Sequence, residues 1–200
     1  MTEKERMERG MLYDPGDKAI TADQFRTSDL LYDFNMSRPS ETEKRNQLMK
    51  RLFAAIGENC YIEPPFHANW SGQHVSMGSG VYVNFNLTIV DDGKVWIGDH
   101  VMIGPNVTIA TAGHPVLPRL REKGIQYNMP VRIGDNVWIG AGAIILPGVT
   151  IGNNSVIGAG SIVTKDIPSD TIAVGNPCRV LRAIGEKDKI YYYKELKIDI

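Results

Sequence analysis

"IGDNVWIGAGAIILPGVTIGNNSVIGAGSIV" occupies residues 133–163 and repeats one phrase every six residues. Apolar residues mark the beat at Ile133, Ile139, Ile145, Ile151, Ile157 and Val163. Upstream the same beat falls at Ile97, Ile103 and Ile109, and before a two-residue slip at Met77, Val83 and Ile89. Glycine follows it at positions 78, 98, 104, 134, 140, 152 and 158. Four residues after the beat stand smaller or β-branched side chains: Val81, Val101, Val107, Val137, Ala143, Val149, Ser155 and Ser161. A period of six is neither the helix period nor the strand alternation. It fits a short strand plus a corner, and glycine with Asn106, Asn136 and Asn154 supplies residues that tolerate corner geometry. Three such sides close a triangular coil, and coils stack about 4.8 Å apart like rungs of a parallel sheet. The pattern predicts a mainly β fold, a parallel β-helix of hexapeptide repeats with its beat residues pointing inward. A glycine-rich sandwich would alternate over longer strands than these. The ends of such a stack expose unpaired backbone groups and need covers.

The repeat stops between Ile109 and Ile133, a gap of 24 residues or four beats, and resumes in phase. The intervening "TAGHPVLPRLREKGIQYNMP", residues 111–130, is polar and holds three prolines, so it reads as a loop thrown out from one corner. Long loops on rigid scaffolds usually carry function. Residues 1–57 read differently, as a helical segment suited to capping the coil. "TEKERMERGMLYD", "TADQFRTSDLLYDFNMS" and "SETEKRNQLMKRLFAAIG" are amphipathic, with Thr21 and Ser40 as expected N-caps. Leu48, Leu52, Phe53 and Ile56 share one face of the third helix, and Gly57 is expected to stop it. The β-helix is expected over residues 58–168 and a C-terminal tail over 169–200, where Tyr191, Tyr192 and Tyr193 suit packing or partner contacts.

Of the 200 residues 42% are hydrophobic and 22% charged, and the formal net charge is −1, so no global field recruits nucleic acid or a membrane. No apolar run is long enough for a membrane span, and the charged N-terminus lacks an apolar signal core. Cys60 and Cys178, the only cysteines, read as buried reduced thiols, which with the missing signal points to a cytoplasmic protein.

Taken together, "EKERMERGMLYD", the hexapeptide array, "TAGHP" and "GNPCRVLR" resemble bacterial sugar O-acetyltransferases of the left-handed β-helix type. "YVNFNLTIVDD", "PNVTIATAGHPV" and "IGAGSIVTKDIPS" are most similar to the galactoside O-acetyltransferases, with maltose O-acetyltransferases as near neighbours. The resemblance implies left-handed coils, a homotrimer with active sites between subunits, acetyl-CoA as co-substrate, a sugar acceptor and no metal. It matches His114 to a catalytic base, a role that imidazole suits at neutral pH. Asn84 matches an acceptor-site residue and a donor for the oxyanion. Asp14 and Asp92 match sugar-contacting carboxylates, and Tyr82 offers a ring to the pyranose. Where the family commonly has a tyrosine near position 70, this chain reads "NWSGQ", so Trp70 or Ser71 is expected to form that wall. Gln126 stands where galactoside enzymes carry a more apolar residue. Ala141 and Ala159 match contacts of the pantetheine arm, with Trp138 as a wall. Thr164, Lys165, Arg179 and Arg182 match the nucleotide end. Other readings stay open at this stage: a maltose, glucose or xenobiotic acceptor, a non-catalytic sugar-binding trimer, or a zinc carbonic anhydrase built on His67, His74, His100 and His114, although these histidines form no matching ligand set.

Overall fold

The computed structural model describes all residues 1–200. Its centre is a three-sided parallel coil. The first face stacks Ala55–Ile56, Val75–Met77, Val95–Ile97, Val131–Ile133 and Thr150–Ile151. The second stacks Tyr61–Ile62, Tyr82–Val83, Met102–Ile103, Trp138–Ile139, Val156–Ile157 and Thr171–Val174, and ends with an antiparallel strand, Arg179–Ala183. The third stacks Phe66–Ala68, Leu87–Val90, Thr108–Ala110, Ile144–Ile145 and Ile162–Val163. Register puts beat residue on beat residue. Met77 pairs with Ile97, Ile97 with Ile133, and Ile133 with Ile151. Val83, Ile103, Ile139 and Ile157 form the second column, and Ile89, Ile109, Ile145 and Val163 the third. Every beat residue is buried, each contributing about 1.5–3 kcal/mol of apolar burial.

The side chains four residues on are buried too, and in the last coil they change character. Ser155 Oγ donates to Pro168 O (2.8 Å), and Ser161 Oγ accepts from Gly175 N–H (3.0 Å). Serine replaces valine where the departing chain leaves backbone groups to satisfy.

The first edge, between the first and second faces, turns through one residue of positive φ in each coil: Asn59, Gly80, His100, Asn136, Asn154 and Asp170. The second edge, between the second and third faces, turns at Asn86, Asn106, Gly142 and Gly160 in its middle coils. The third edge is irregular. It runs through 69–74, 91–94, 111–130, 146–149 and 164–166. The two-residue slip and the long insertion both lie here. The chain leaves and re-enters at one corner, so strand register in the coil survives the insertion whatever the loop length.

Four helices precede the coil: α1 (Glu3–Glu8), α2 (Lys18–Phe25), α3 (Ser28–Asn35) and α4 (Thr42–Leu52). Thr2 and Glu5 form a capping box on α1. The caps expected at Thr21 and Ser40 are not used. Asp17 caps α2 earlier through the N–H groups of Ala19 and Ile20, so Thr21 lies inside the helix with its hydroxyl on Asp17 O (3.1 Å). α4 starts after Glu41, whose carboxylate instead accepts Arg38 N–H (2.7 Å). Gly57 does not stop the third helix either. α4 ends at Leu52, and Ile56 already pairs with Met77 in the first coil. Gly57 is needed at the first corner, where a Cβ would meet Ser79 Oγ at 2.4 Å. Leu48, Met49, Leu52 and Phe53 join the coil's apolar core and close its N-terminal end. Cys178 is buried in that core, whereas Cys60 is only half-buried, with its thiol on Gly78 O (3.0 Å). The tail ends in an exposed hairpin of Tyr191–Tyr193 and Leu196–Lys197.

Candidate active site

The loop leaves the third edge through a two-stranded stem, Ala112–Gly113 against Tyr127–Asn128, and carries a one-turn helix, α5 (Pro118–Arg121). Thr111 fixes the exit: its hydroxyl donates to Val90 O (2.7 Å) and accepts Gly93 N–H (2.7 Å). Gly113 is required because a Cβ there would meet the Tyr127 ring at 2.9 Å. His114 follows, exposed, with Nδ1 2.9 Å from Ile125 O. A carbonyl oxygen only accepts, so Nδ1 carries a proton, and in the neutral ring the lone pair is on Nε2. Arg121 donates to Val116 O (2.6 Å), tying down the backbone just beyond the histidine.

Beneath the stem lies a buried polar cluster that joins the loop to the N-terminal arm. Tyr13 exchanges backbone hydrogen bonds with Gln126, both 3.0 Å. The Tyr13 hydroxyl accepts from Gln126 Nε2 (2.6 Å) and Asn128 Nδ2 (3.2 Å). Burial is the main cause that pushes this phenol up to about 12, so it stays protonated. Gln126 Nε2 also reaches Asp92 Oδ1 (3.2 Å), while Asp92 Oδ2 accepts from Asn69 Nδ2 (2.9 Å). Asp92 and Gln126 are each 8% exposed. Asp14, next to Tyr13, is exposed, and its Oδ1 accepts Gly16 N–H (2.8 Å). Neighbouring Asp91 is buried and accepts the N–H groups of Trp70 (2.7 Å) and Gly72 (3.0 Å); burial, the largest influence, pushes its carboxyl up.

The expected wall at "NWSGQ" needs correction. Trp70 is 3% and Ser71 2% exposed, so neither presents a surface to a ligand in the chain as folded. Trp70 packs with Met7, Tyr13 and Ile20, holding the arm against the coil, and its ring lies 4.7 Å from that of His74. A bulky apolar side chain covered by the arm gains more from burial than from an exposed wall.

A separate groove runs along the second face to the second edge. Tyr82, Asn84, Met102, Trp138, Ala141 and Ala159 line it. Asn84 Oδ1 accepts Phe85 N–H (2.8 Å), which leaves its Nδ2 donor free. Ala141 and Ala159 stack at successive corners, where their small side chains let a ligand approach the backbone, and their N–H groups donate to nothing within the chain. Such a surface of small residues and free amides fits a narrow amide-bearing arm. Tyr82, Met102 and Trp138 are 44%, 51% and 52% exposed, an apolar stripe over three coils.

The basic residues divide in the same way. Thr164 and Lys165 are exposed on the third edge, whereas Arg179 and Arg182 lie on the closing strand of the second face. Arg182 forms a bidentate pair with Asp188 (2.6 and 2.7 Å), and this pairing, first through its hydrogen bonds, holds the Asp188 carboxyl far below its ordinary range. One chain therefore carries these residues in two groups on different edges. His114, Asp92, Gln126, Thr164 and Lys165 occupy one, and Asn84, Tyr82, Trp138, Ala141, Ala159, Arg179 and Arg182 the other. The contributions of Tyr13, Asn69 and Asn128 carried no periodic signal. The four histidines lie on separate elements, and no three metal-ligating side chains gather within the chain.

Residues 6–57 match the maltose acetyltransferase hexapeptide capping motif, and residues 130–165 match the bacterial transferase hexapeptide of six repeats. The chain is 53% identical over 189 residues to galactoside O-acetyltransferase of Lactococcus lactis, covering 94% of this chain and 91% of that protein. A solved galactoside acetyltransferase in complex with coenzyme A matches all of both chains with a TM-score of 0.96 at 50% identity. A maltose O-acetyltransferase from Clostridium difficile 630 matches with a TM-score of 0.90 at 46% identity, over 93% of this chain and 99% of that one.

Proposed function

Since the chain belongs to the hexapeptide-repeat sugar O-acetyltransferase family, we propose that it moves the acetyl group of acetyl-CoA to a hydroxyl of a galactoside or related sugar in the cytoplasm, as a homotrimer with its sites between subunits. The observation that carries this reading is the division of the functional groups between two edges. His114 lacks the groove, and the groove lacks a base. A heterologous contact between copies, third edge against second face, joins them, and repetition around a three-fold axis closes the ring. The apolar stripe of Tyr82, Met102 and Trp138 suits burial in that contact.

In the joined site the chemistry proceeds by direct attack in a ternary complex. His114 Nε2 takes the proton of the acceptor hydroxyl while that oxygen bonds to the thioester carbonyl carbon. The Nδ1–H bond to Ile125 O keeps the ring in the tautomer that can do this and steadies the charge it gains. Asn84 Nδ2, oriented by its tether to Phe85 N–H, donates to the carbonyl oxygen as negative charge grows there. The C–S bond then breaks, and the imidazolium returns its proton to the leaving sulfur, so no covalent acetyl-enzyme is required. Asp14 and Asp92 accept sugar hydroxyls, with Gln126 beside them. The amides of Ala141 and Ala159 serve the pantetheine arm. Thr164 and Lys165 from one subunit and Arg179 and Arg182 from the next serve the phosphates. The polar residue at Gln126, where galactoside enzymes are more apolar, favours a glucoside or maltose acceptor as the second reading.

Two inactive variants test the arrangement together. His114→Ala and Asn84→Ala, co-assembled in equal amounts, restore wild-type pairs at about a quarter of the interfaces, because each site takes one group from each copy. Recovery of sugar-dependent thiol release to that level is expected. A mixture no more active than its components would reject the shared site.

A further inference from the structure

The cluster under the loop stem has one feature that the reaction as described does not use. Its hydrogen bonds leave no freedom in how its two amides face. The Asp92 carboxylate only accepts, so Gln126 must turn Nε2 toward it (3.2 Å). The Asp92 backbone carbonyl also only accepts, so Asn128 must turn Nδ2 toward it (3.0 Å). Asn128 Oδ1 is then left facing Gln126 Nε2 (3.3 Å) and the Tyr13 hydroxyl (3.3 Å). The Tyr13 oxygen, receiving both amide nitrogens, has one hydrogen to give, and Asn128 Oδ1 takes it. The orientation of both amides is thereby set, with the two hydrogens of Gln126 Nε2 shared among Asp92 Oδ1, the Tyr13 hydroxyl and Asn128 Oδ1.

One atom remains outside it. Gln126 Oε1 accepts nothing within the chain, and it is not among the side-chain atoms sealed from solvent without a partner. Oε1 shares its carbon with the Nε2 that faces Asp92, so it lies within a few ångströms of that carboxylate, whose two oxygens each accept only one hydrogen bond from the chain. From this we infer that Tyr13 and Asn128 are positioning residues for acceptor choice: they lock Gln126 so that its carbonyl oxygen stands beside the Asp92 carboxylate and together they accept two hydroxyl hydrogens of one polyhydroxylated acceptor. The pair selects against an acceptor carrying a hydrogen or an alkyl group in place of either hydroxyl, because a polar group left facing an apolar one loses its partner. The inference rests on the acetyl-transfer reading above and adds to it the residues that set its specificity.

The experiment compares the wild-type protein with Tyr13→Phe, Gln126→Met and the double variant, using steady-state thiol release with a galactoside, a glucoside and the monodeoxy analogues of each. Tyr13→Phe keeps the buried ring and removes only the hydroxyl, and melting curves report on folding. The Michaelis constant for the acceptor is expected to rise about tenfold in each single variant. That for acetyl-CoA stays within about twofold, as does kcat. The double variant should be no worse than Gln126→Met alone, because Tyr13 acts through Gln126. Gln126→Met should also lose about tenfold of the discrimination against one monodeoxy analogue. An unchanged acceptor constant, additive losses, or equal shifts for both substrates overturn the inference and leave acetyl transfer standing. If no sugar stimulates thiol release by the wild-type protein, acetyl transfer to sugars fails, and this inference fails with it.

Discussion

The first and third edges of the coil turn the same chain through the same angle with opposite economies. On the first edge each corner uses one residue of positive φ, and its polar groups are spent on stacking. Asp99 Oδ1 accepts Ser79 N–H (2.7 Å), Asp135 Oδ1 accepts Asp99 N–H (2.9 Å), and Asn153 Oδ1 accepts Asp135 N–H (3.0 Å). Asn136 Nδ2 bonds Asn154 Oδ1 (3.1 Å), and Asn154 Nδ2 bonds Asp170 Oδ1 (2.8 Å). Little is left over for a ligand. On the third edge no two of the first three corners are alike, and departures from the repeat leave atoms such as His114 Nε2 and Gln126 Oε1 without a partner in the chain. In a fold whose stability comes from repetition, the base and acceptor residues proposed above lie where repetition fails.

The largest test of that contrast removes the histidine. His114→Ala is expected to lower turnover by about 10²–10⁴-fold, the scale of a lost general base, while the melting temperature barely moves, because the side chain is exposed on a loop. Near-normal turnover would take the base away from the third edge. Ile145→Ala, inside the third column and 0% exposed, should do the reverse. It should cost about 2–5 kcal/mol of stability and leave both Michaelis constants in place. Denaturant unfolding beside steady-state kinetics reads both halves.

The coil was legible because its signal is local and redundant. Each beat residue repeats the same evidence, and Ile139 would have been recognised from Ile133 and Ile145 alone. The loop and its histidine were legible as an interruption of that signal. What stayed hidden depends on pairings across long stretches of chain or on competition between neighbours. Tyr13 meets Gln126 through a bridge that no spacing encodes. Thr21 was a good cap in the wrong place, since Asp17 starts the helix a turn earlier. Trp70 stood at the position of an expected wall, but the arm folding over it turned it into core. Arg182 matched the nucleotide end by resemblance, and nothing in the sequence pattern pairs it with Asp188.

That last pairing sharpens the expectation for the nucleotide end. Lys165, on the third edge, has no ionic partner in the chain, whereas the Arg182 guanidinium is engaged on both terminal nitrogens. Lys165→Ala should raise the Michaelis constant for acetyl-CoA about three- to tenfold, and less at high salt, where exposed charges are screened. Arg182→Ala should raise it less, because the arginine must first give up Asp188. With both removed, kcat should hold while the constant rises further. An unchanged constant in the double variant would remove these residues from coenzyme binding, and a larger effect from Arg182 would mean that the pair opens when the ligand arrives.

The smallest effect asks what the first edge itself depends on. Asn136 is exposed, has φ of 55° and makes one ladder bond upward to Asn154. If backbone conformation is what the corner needs, Asn136→Gly should change stability by less than about 0.5 kcal/mol, since glycine adopts positive φ freely. Asn136→Ala should cost about 1–2 kcal/mol, because a Cβ in the left-handed region crowds the following carbonyl and alanine has no amide to offset it. Equal losses in the two variants would show instead that the side-chain ladder holds the edge. Stacking would then use side chains as heavily as backbone, and the contrast with the third edge would rest on which side chains are already bonded rather than on which corners are regular.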